Sequence, residues 1–254
     1  MQMCRAENIF PGIWKLTYGE PEALTPTTVI EHTPKAEGLE RLPLAPLPFS
    51  MEDIDFTTYA RGCRLVIPMG VEEHIYGFGL QMKSFDQKGK KKELRVNSDP
   101  VSDTGDSHAP VPFYVSTAGY GVFVDTARYA SFYAASHEFL PKGGKNAAGI
   151  AALSDNTENL YAARQTRGGM VVDIPMAKGI CVYLFEGPRL LTAVQRYMLF
   201  SGGGAMPPIW GLGVWYRAYV GHSQEKVLEL ADTLRREKIP CDVFGLEPGW
   251  QTAS

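Results

Sequence analysis

The sequence has little cysteine, no long apolar run and no surplus of positive charge, and each lack removes a class of function. Its four cysteines (Cys4, Cys63, Cys181, Cys241) lie far apart, with no C-x-x-C pair and no histidine at ligand spacing. That excludes the common zinc arrangements, and no metal or cofactor is expected. Three of the four sit in apolar or strand-like surroundings, where a reduced, buried thiol is expected rather than a disulfide or a nucleophile. No apolar run approaches the roughly 20 residues of a membrane span. The opening Met1-Gln-Met-Cys-Arg-Ala-Glu lacks the apolar core of a signal peptide, so a cytoplasmic location is expected. Lys and Arg number 25 against 28 Asp and Glu, and a net charge of −3 argues against general affinity for nucleic acid or anionic membrane. No repeat at a fixed period is visible.

What is present is ordinary globular composition, 44% hydrophobic and 21% charged over 254 residues. That is enough for one large domain or two smaller ones. From about Ile9 to Glu186 the chain shows short β-rich runs punctuated by Gly, Pro, Asn and Asp. Examples are Arg64-Leu-Val-Ile-Pro68, Pro112-Phe-Tyr-Val-Ser116, Gly121-Val-Phe-Val-Asp125, Met170-Val-Val-Asp-Ile174 and Ile180-Cys-Val-Tyr-Leu-Phe185. Many short strands with frequent turns predict an antiparallel sandwich. Leu42-Pro-Leu-Ala-Pro-Leu-Pro48 cannot be a central strand and reads as an ordered loop or edge.

The pattern then changes. Leu190, Leu191, Val194, Tyr197 and Met198 predict one apolar face of a helix ended by Gly202-Gly-Gly204. Pro207-Pro208 opens a new segment. Ile209-Trp-Gly-Leu-Gly-Val-Trp215 reads as a strand buried on both faces. Ser223 is a good N-cap for an amphipathic helix carrying Val227, Leu230, Ala231 and Leu234, which must stop before Pro240. Cys241-Asp-Val-Phe-Gly-Leu246 supplies the next strand. Strand, helix and strand make one βαβ unit, normally parallel, and one unit cannot bury its own sheet.

Four segments in order carry a family resemblance. His74-Ile-Tyr-Gly-Phe-Gly79, the hairpin Pro112–Asp125, Met206-Pro-Pro-Ile-Trp-Gly-Leu-Gly-Val-Trp215 and Lys238-Ile-Pro-Cys-Asp-Val-Phe244 resemble segments of glycoside hydrolase family 31. The resemblance implies a mainly β fold: a galactose-mutarotase-like antiparallel β-sandwich over 1–187, a helical linker over 188–206, and the start of a (β/α)8 catalytic barrel over 207–254. It also implies a retaining α-glycosidase with one Asp as nucleophile and another as acid/base on later barrel strands. Two such carboxyls must flank the bond about 5–5.5 Å apart. The sequence ends at Ser254, after the second barrel strand, so no catalytic residue is expected within it and the chain alone is expected to be inert. The expected partner is an α-glycoside, without nucleic acid or membrane, and a homo-oligomer stays open. A non-catalytic carbohydrate-binding or interaction module is the alternative, although such a module has no use for a partial βαβ unit.

Barrel sites form at the C-terminal ends of strands, here read as Trp215-Tyr-Arg217 and Glu247-Pro-Gly-Trp250. Glu247 aligns with a family carboxylate, usually Asp, that the resemblance assigns to sugar hydroxyls; a carboxylate can accept two such bonds at once. Trp215 and Trp250 are candidate walls for a sugar ring, with core packing as the other reading of Trp215. Asp99, in Arg95-Val-Asn-Ser-Asp99-Pro100, matches a family loop that contributes to substrate binding, but Asp-Pro is also a turn signal. The acidic stretch Asp99, Asp103, Asp106 has neither the spacing nor the terminal glutamate of an EF-hand loop and reads as a surface loop. Lys88-Gly-Lys-Lys-Lys92 reads as a solvated hairpin tip.

Overall fold

Val, Ile, Phe and Tyr at alternate positions pack well on a pleated surface, and in the computed structural model these runs are strands. The structure describes residues 4–29, 33–98, 100–135, 169–248 and 250. It divides into two compact units, Met1–Gly203 and Gly204–Ser254. The first contains β1 (Cys4–Phe10), β2 (Ile13–Glu20), α1 (Pro26–Val29), α2 (Ala36–Glu40), β3 (Asp55–Tyr59), β4 (Gly62–Pro68), β5 (Ile75–Gly79), β6 (Lys91–Leu94), β7 (Pro110–Ser116), β8 (Tyr120–Asp125), β9 (Ala130–Ala134), β10 (Gly169–Pro175), β11 (Lys178–Glu186) and α3 (Leu190–Phe200).

Two antiparallel sheets result, in the orders β1-β2-β11-β8-β7-β5 and β3-β4-β10-β9-β6. Side chains alternate across each strand. On β11, Ile180, Val182 and Leu184 enter the core between the sheets, where they meet Leu65, Phe132 and Val172 of the opposite sheet. Tyr183 and Phe185 point the other way, into a second core beneath α3. The six-stranded sheet is therefore covered on both faces at its centre, which is why all six residues of β8 are buried. Each large apolar side chain so buried contributes about 1.5–3 kcal/mol before the entropy of ordering is counted.

The helix face differs from the expectation. Leu191 and Met198 are exposed, whereas Ala193, Arg196 and Phe200 are buried. Tyr197 does pack, its ring stacked on Phe113 at 3.7 Å. The polar residue in this face, Arg196, has a reason to be there. Its guanidinium donates to the carbonyls of Glu186, Leu42 and Pro43, fastening the proline-rich loop to the end of β11. After Phe200 the chain leaves the helix through Gly202 and Gly203, both at positive φ, a conformation that glycine adopts without strain.

The Tyr76-Gly-Phe-Gly79 segment also has a physical basis. β5 pairs with β7 through a register shift between Gly77 and Gly79. A Cβ on Gly79 would stand 2.1 Å from the Ala109 carbonyl oxygen, and φ there is +77°. Only glycine fits, and the kink sends the Phe78 ring into the core against Phe132 at 4.9 Å.

Lys88–Lys92 is not simply a solvated tip. Lys91–Leu94 is a strand whose alternation turns Lys92 and Leu94 inward, and Lys92 is fully buried in an ion pair with Asp103.

The first strand of the second unit starts later than expected. Ile209–Leu212 is a 3-10 turn, not a buried strand, and Ile209 is 89% exposed. The strand β12 is Trp215–Ala218, followed by α4 (Gln224–Arg236) and β13 (Val243–Leu246). The Ser223 hydroxyl caps α4 by accepting from the Lys226 amide. β12 and β13 pair in parallel, Trp215 with Val243 through Ala218 with Leu246. At the start of β12 the Asp242 carboxylate accepts from the Val214 amide at 2.9 Å. A Cβ on Gly213 would lie 2.1 Å from that carboxylate, so the glycines that looked like part of a strand belong to its entry.

Candidate functional site

Parallel strands joined by a helix expose their C-terminal ends together, and in this unit those ends are Ala218 and Leu246. Glu247 follows directly on β13. Arg217 stands opposite Gly245 in the register, and its guanidinium reaches along the strand ends to Glu247. Nε donates to Oε1, and Nη2 donates to Oε2 at 2.9 Å. The two side chains form a fork that fixes the plane of the carboxylate. Glu247 retains 20% exposure and Arg217 78%. Ion pairs this close to water contribute only about 0–1 kcal/mol to stability, so the fork orients Glu247 more than it holds the fold.

Beside Glu247 lies a cleft of about 260 Å³, lined among others by Tyr219, His222, Leu246 and Trp250. The Trp250 amide donates back to the Glu247 carbonyl at 3.3 Å. This turn leaves the indole 64% exposed. Tyr219 is also exposed and meets the His222 ring edge-on at 5.6 Å. His222 Nδ1 has no hydrogen-bond partner among the described residues. Exposed aromatic faces beside a carboxylate suit a ligand with one apolar face and a rim of hydroxyls. Glu247 is the only carboxylate among the described residues lining the cleft, whereas glycoside hydrolysis uses two.

The sequence-derived candidates do not all converge. Glu247 and Trp250 share the cleft. Trp215 does not: it is the first residue of β12, not its C-terminal end, and its indole Nε1 donates to the Gly211 carbonyl at 3.2 Å. The apolar run before it had been read as strand, which displaced the strand end. Asp99 lies outside the described residues. Arg217, Tyr219 and His222 had not been singled out. The last two sit between a strand end and the Ser223 cap, the stretch where barrel loops carry function, and that position was a usable signal. Cys63 and Cys181 are not nucleophile candidates, because burial above all pushes both thiols up. Burial, with the nearby Asp173 carboxylate, takes the Cys63 thiol to about 11.

Comparison with known proteins agrees with this architecture. The N-terminal galactose mutarotase-like domain of glycosyl hydrolase family 31 matches residues 30–132. The TIM-barrel domain of the same family matches residues 204–254. An alpha-xylosidase, XylQ, of Lactiplantibacillus pentosus is 27% identical over 187 residues, covering 73% of this chain and 21% of that protein. An alpha-glucosidase of Saccharolobus solfataricus is 22% identical over 195 residues, covering 74% of this chain and 24% of its own length. The chain thus spans about a fifth to a quarter of these curated relatives. Among solved structures, a Flavobacterium johnsoniae family 31 dextranase complexed with glucose superposes with a TM-score of 0.67 at 16% identity, covering 98% of this chain and 32% of that one. A family 31 α-xylosidase from a soil metagenome complexed with xylose gives 0.56 at 13% identity, covering 94% and 38%. With two domains of one family matched in order, on a sandwich followed by a βαβ unit, the chain belongs to glycoside hydrolase family 31.

Proposed function

We propose that the protein is a retaining α-glycosidase acting on α-linked glycosides, that its catalytic aspartates lie outside this chain, and that Glu247 and Trp250 belong to its sugar site. The observation that carries this reading is the forked Glu247 carboxylate at the C-terminal strand ends, on the wall of a cleft with exposed aromatic rings. The Glu247 carboxylate accepts from sugar hydroxyls while Trp250 covers an apolar ring face. Relatives named alpha-xylosidase and alpha-glucosidase support a neutral α-linked sugar as the substrate. A cytoplasmic location is part of the proposal, supported by the free thiols of Cys63, Cys181 and Cys241.

The test is an assay of the full-length protein on nitrophenyl α- and β-glycosides, with the product anomer followed by NMR. Release from an α-xyloside or α-glucoside, with the α-anomer formed first, is expected. Turnover of β-glycosides alone, or an inverted product, contradicts the proposal.

A further inference from the structure

A glutamate at a strand end creates a problem that Arg217 answers. A glutamate has one more rotatable bond than an aspartate, so an unbraced carboxylate at the strand end would sample several orientations. Ordering it would then oppose sugar binding. In this structure the orientation is already set. Glu247 lies two residues beyond Gly245, which pairs with Arg217, and strand side chains repeat every two residues on one face. Gly245 has no side chain to stand between the two partners. The guanidinium takes both oxygens, Nε to Oε1 and Nη2 to Oε2. Each carboxylate oxygen accepts two hydrogen bonds, so the fork leaves one acceptor position on each for a ligand.

We propose that Arg217 is a positioning residue for the sugar site: it braces the Glu247 carboxylate in one orientation and balances its charge, so that a neutral sugar meets a fixed pair of acceptors. This rests on the reading that Glu247 contacts the sugar. Lysine replaces Arg217 only in part, because an ammonium is a compact point charge without the planar fork that fixes the plane of a carboxylate. The Arg217 side chain is 78% exposed, so its removal leaves the fold intact.

A double-mutant cycle on the full-length protein separates this role from others. The variants are Arg217→Met, Arg217→Lys, Glu247→Ala and Arg217→Met with Glu247→Ala. Each is assayed for kcat and KM on the nitrophenyl α-glycoside that the protein turns over best, with thermal midpoints as a check of folding. Arg217→Met is expected to lower kcat/KM about tenfold, Arg217→Lys to recover less than about half of that loss, and thermal midpoints to stay unchanged. In the Glu247→Ala background, Arg217→Met is expected to add less than about a twofold loss, because the group it braces is gone. Losses that multiply across the two sites overturn the proposal, since Arg217 would then act on the substrate by itself. Wild-type kinetics for Arg217→Met beside an impaired Glu247→Ala also overturn it, while leaving Glu247 in the site. Wild-type kinetics for Glu247→Ala remove the underlying reading of the site instead.

Discussion

The Asp103 carboxylate is held by three side chains at once: Lys92 Nζ, Lys90 Nζ at 3.2 Å and the Ser84 hydroxyl at 2.6 Å. Partial burial alone would raise its pKa. The hydrogen bonds from Lys92, Ser84 and Lys90 outweigh that effect and hold the group at about 2, against 3.8 when unperturbed. A carboxyl with a depressed folded-state pKa stabilises the fold above its unfolded value, and the contribution is lost as pH falls through the folded one. Asp103→Asn is therefore expected to destabilise the protein near neutral pH by about 2 kcal/mol, between the limits for exposed and buried pairs. Against wild type, the difference should shrink as pH falls from about 4 to about 2. Urea unfolding of both proteins across that window checks this, and a pH-independent gap contradicts it. None of this was legible in the Lys88–Lys92 run. Charge density there points outward, and only the strand register and a partner eleven residues away turn Lys92 inward. Arg217 was hidden for the same reason, because sequence does not state which residue faces which across two strands. Glu247 could be found because its signal is local: it directly follows an apolar run that ends a strand.

At the scale of elements, the antiparallel strands were legible from their β-branched and aromatic runs, since such runs satisfy a buried pleated surface whichever neighbour they receive. Ile209–Val214 misled because composition suggested burial. The paired prolines before it and the close approach of Gly213 to Asp242 instead make it a turn entering β12. The two units also differ in how well their elements are covered. β8 and β11 have cores on both faces, while α4 has no buried residue and β12 only Ala218. Few buried contacts leave backbone hydrogen bonds open to water. In the 254-residue chain, amides of 209–248 are expected to exchange with solvent deuterium faster than those of 110–125 and 170–186. Equal protection of the two sets contradicts this account of the βαβ unit.

For the whole molecule, the central claim is that the strand ends of this βαβ unit form part of a sugar site, with Glu247 as its carboxylate. Glu247→Gln in the full-length protein keeps the size of the side chain and removes its charge. Weakening a charge-assisted hydrogen bond to a sugar costs about 1.5–3 kcal/mol, roughly ten- to 150-fold in kcat/KM. The exposed pair with Arg217 contributes at most about 1 kcal/mol to stability, so the melting temperature should move little. The most direct measurement is kcat/KM of this variant on a nitrophenyl α-glycoside, taken together with its melting temperature. The account predicts a loss of at least about tenfold in kcat/KM with a near-native melting temperature. Wild-type kcat/KM combined with a clearly lowered melting temperature would make Glu247 a structural residue and contradict it.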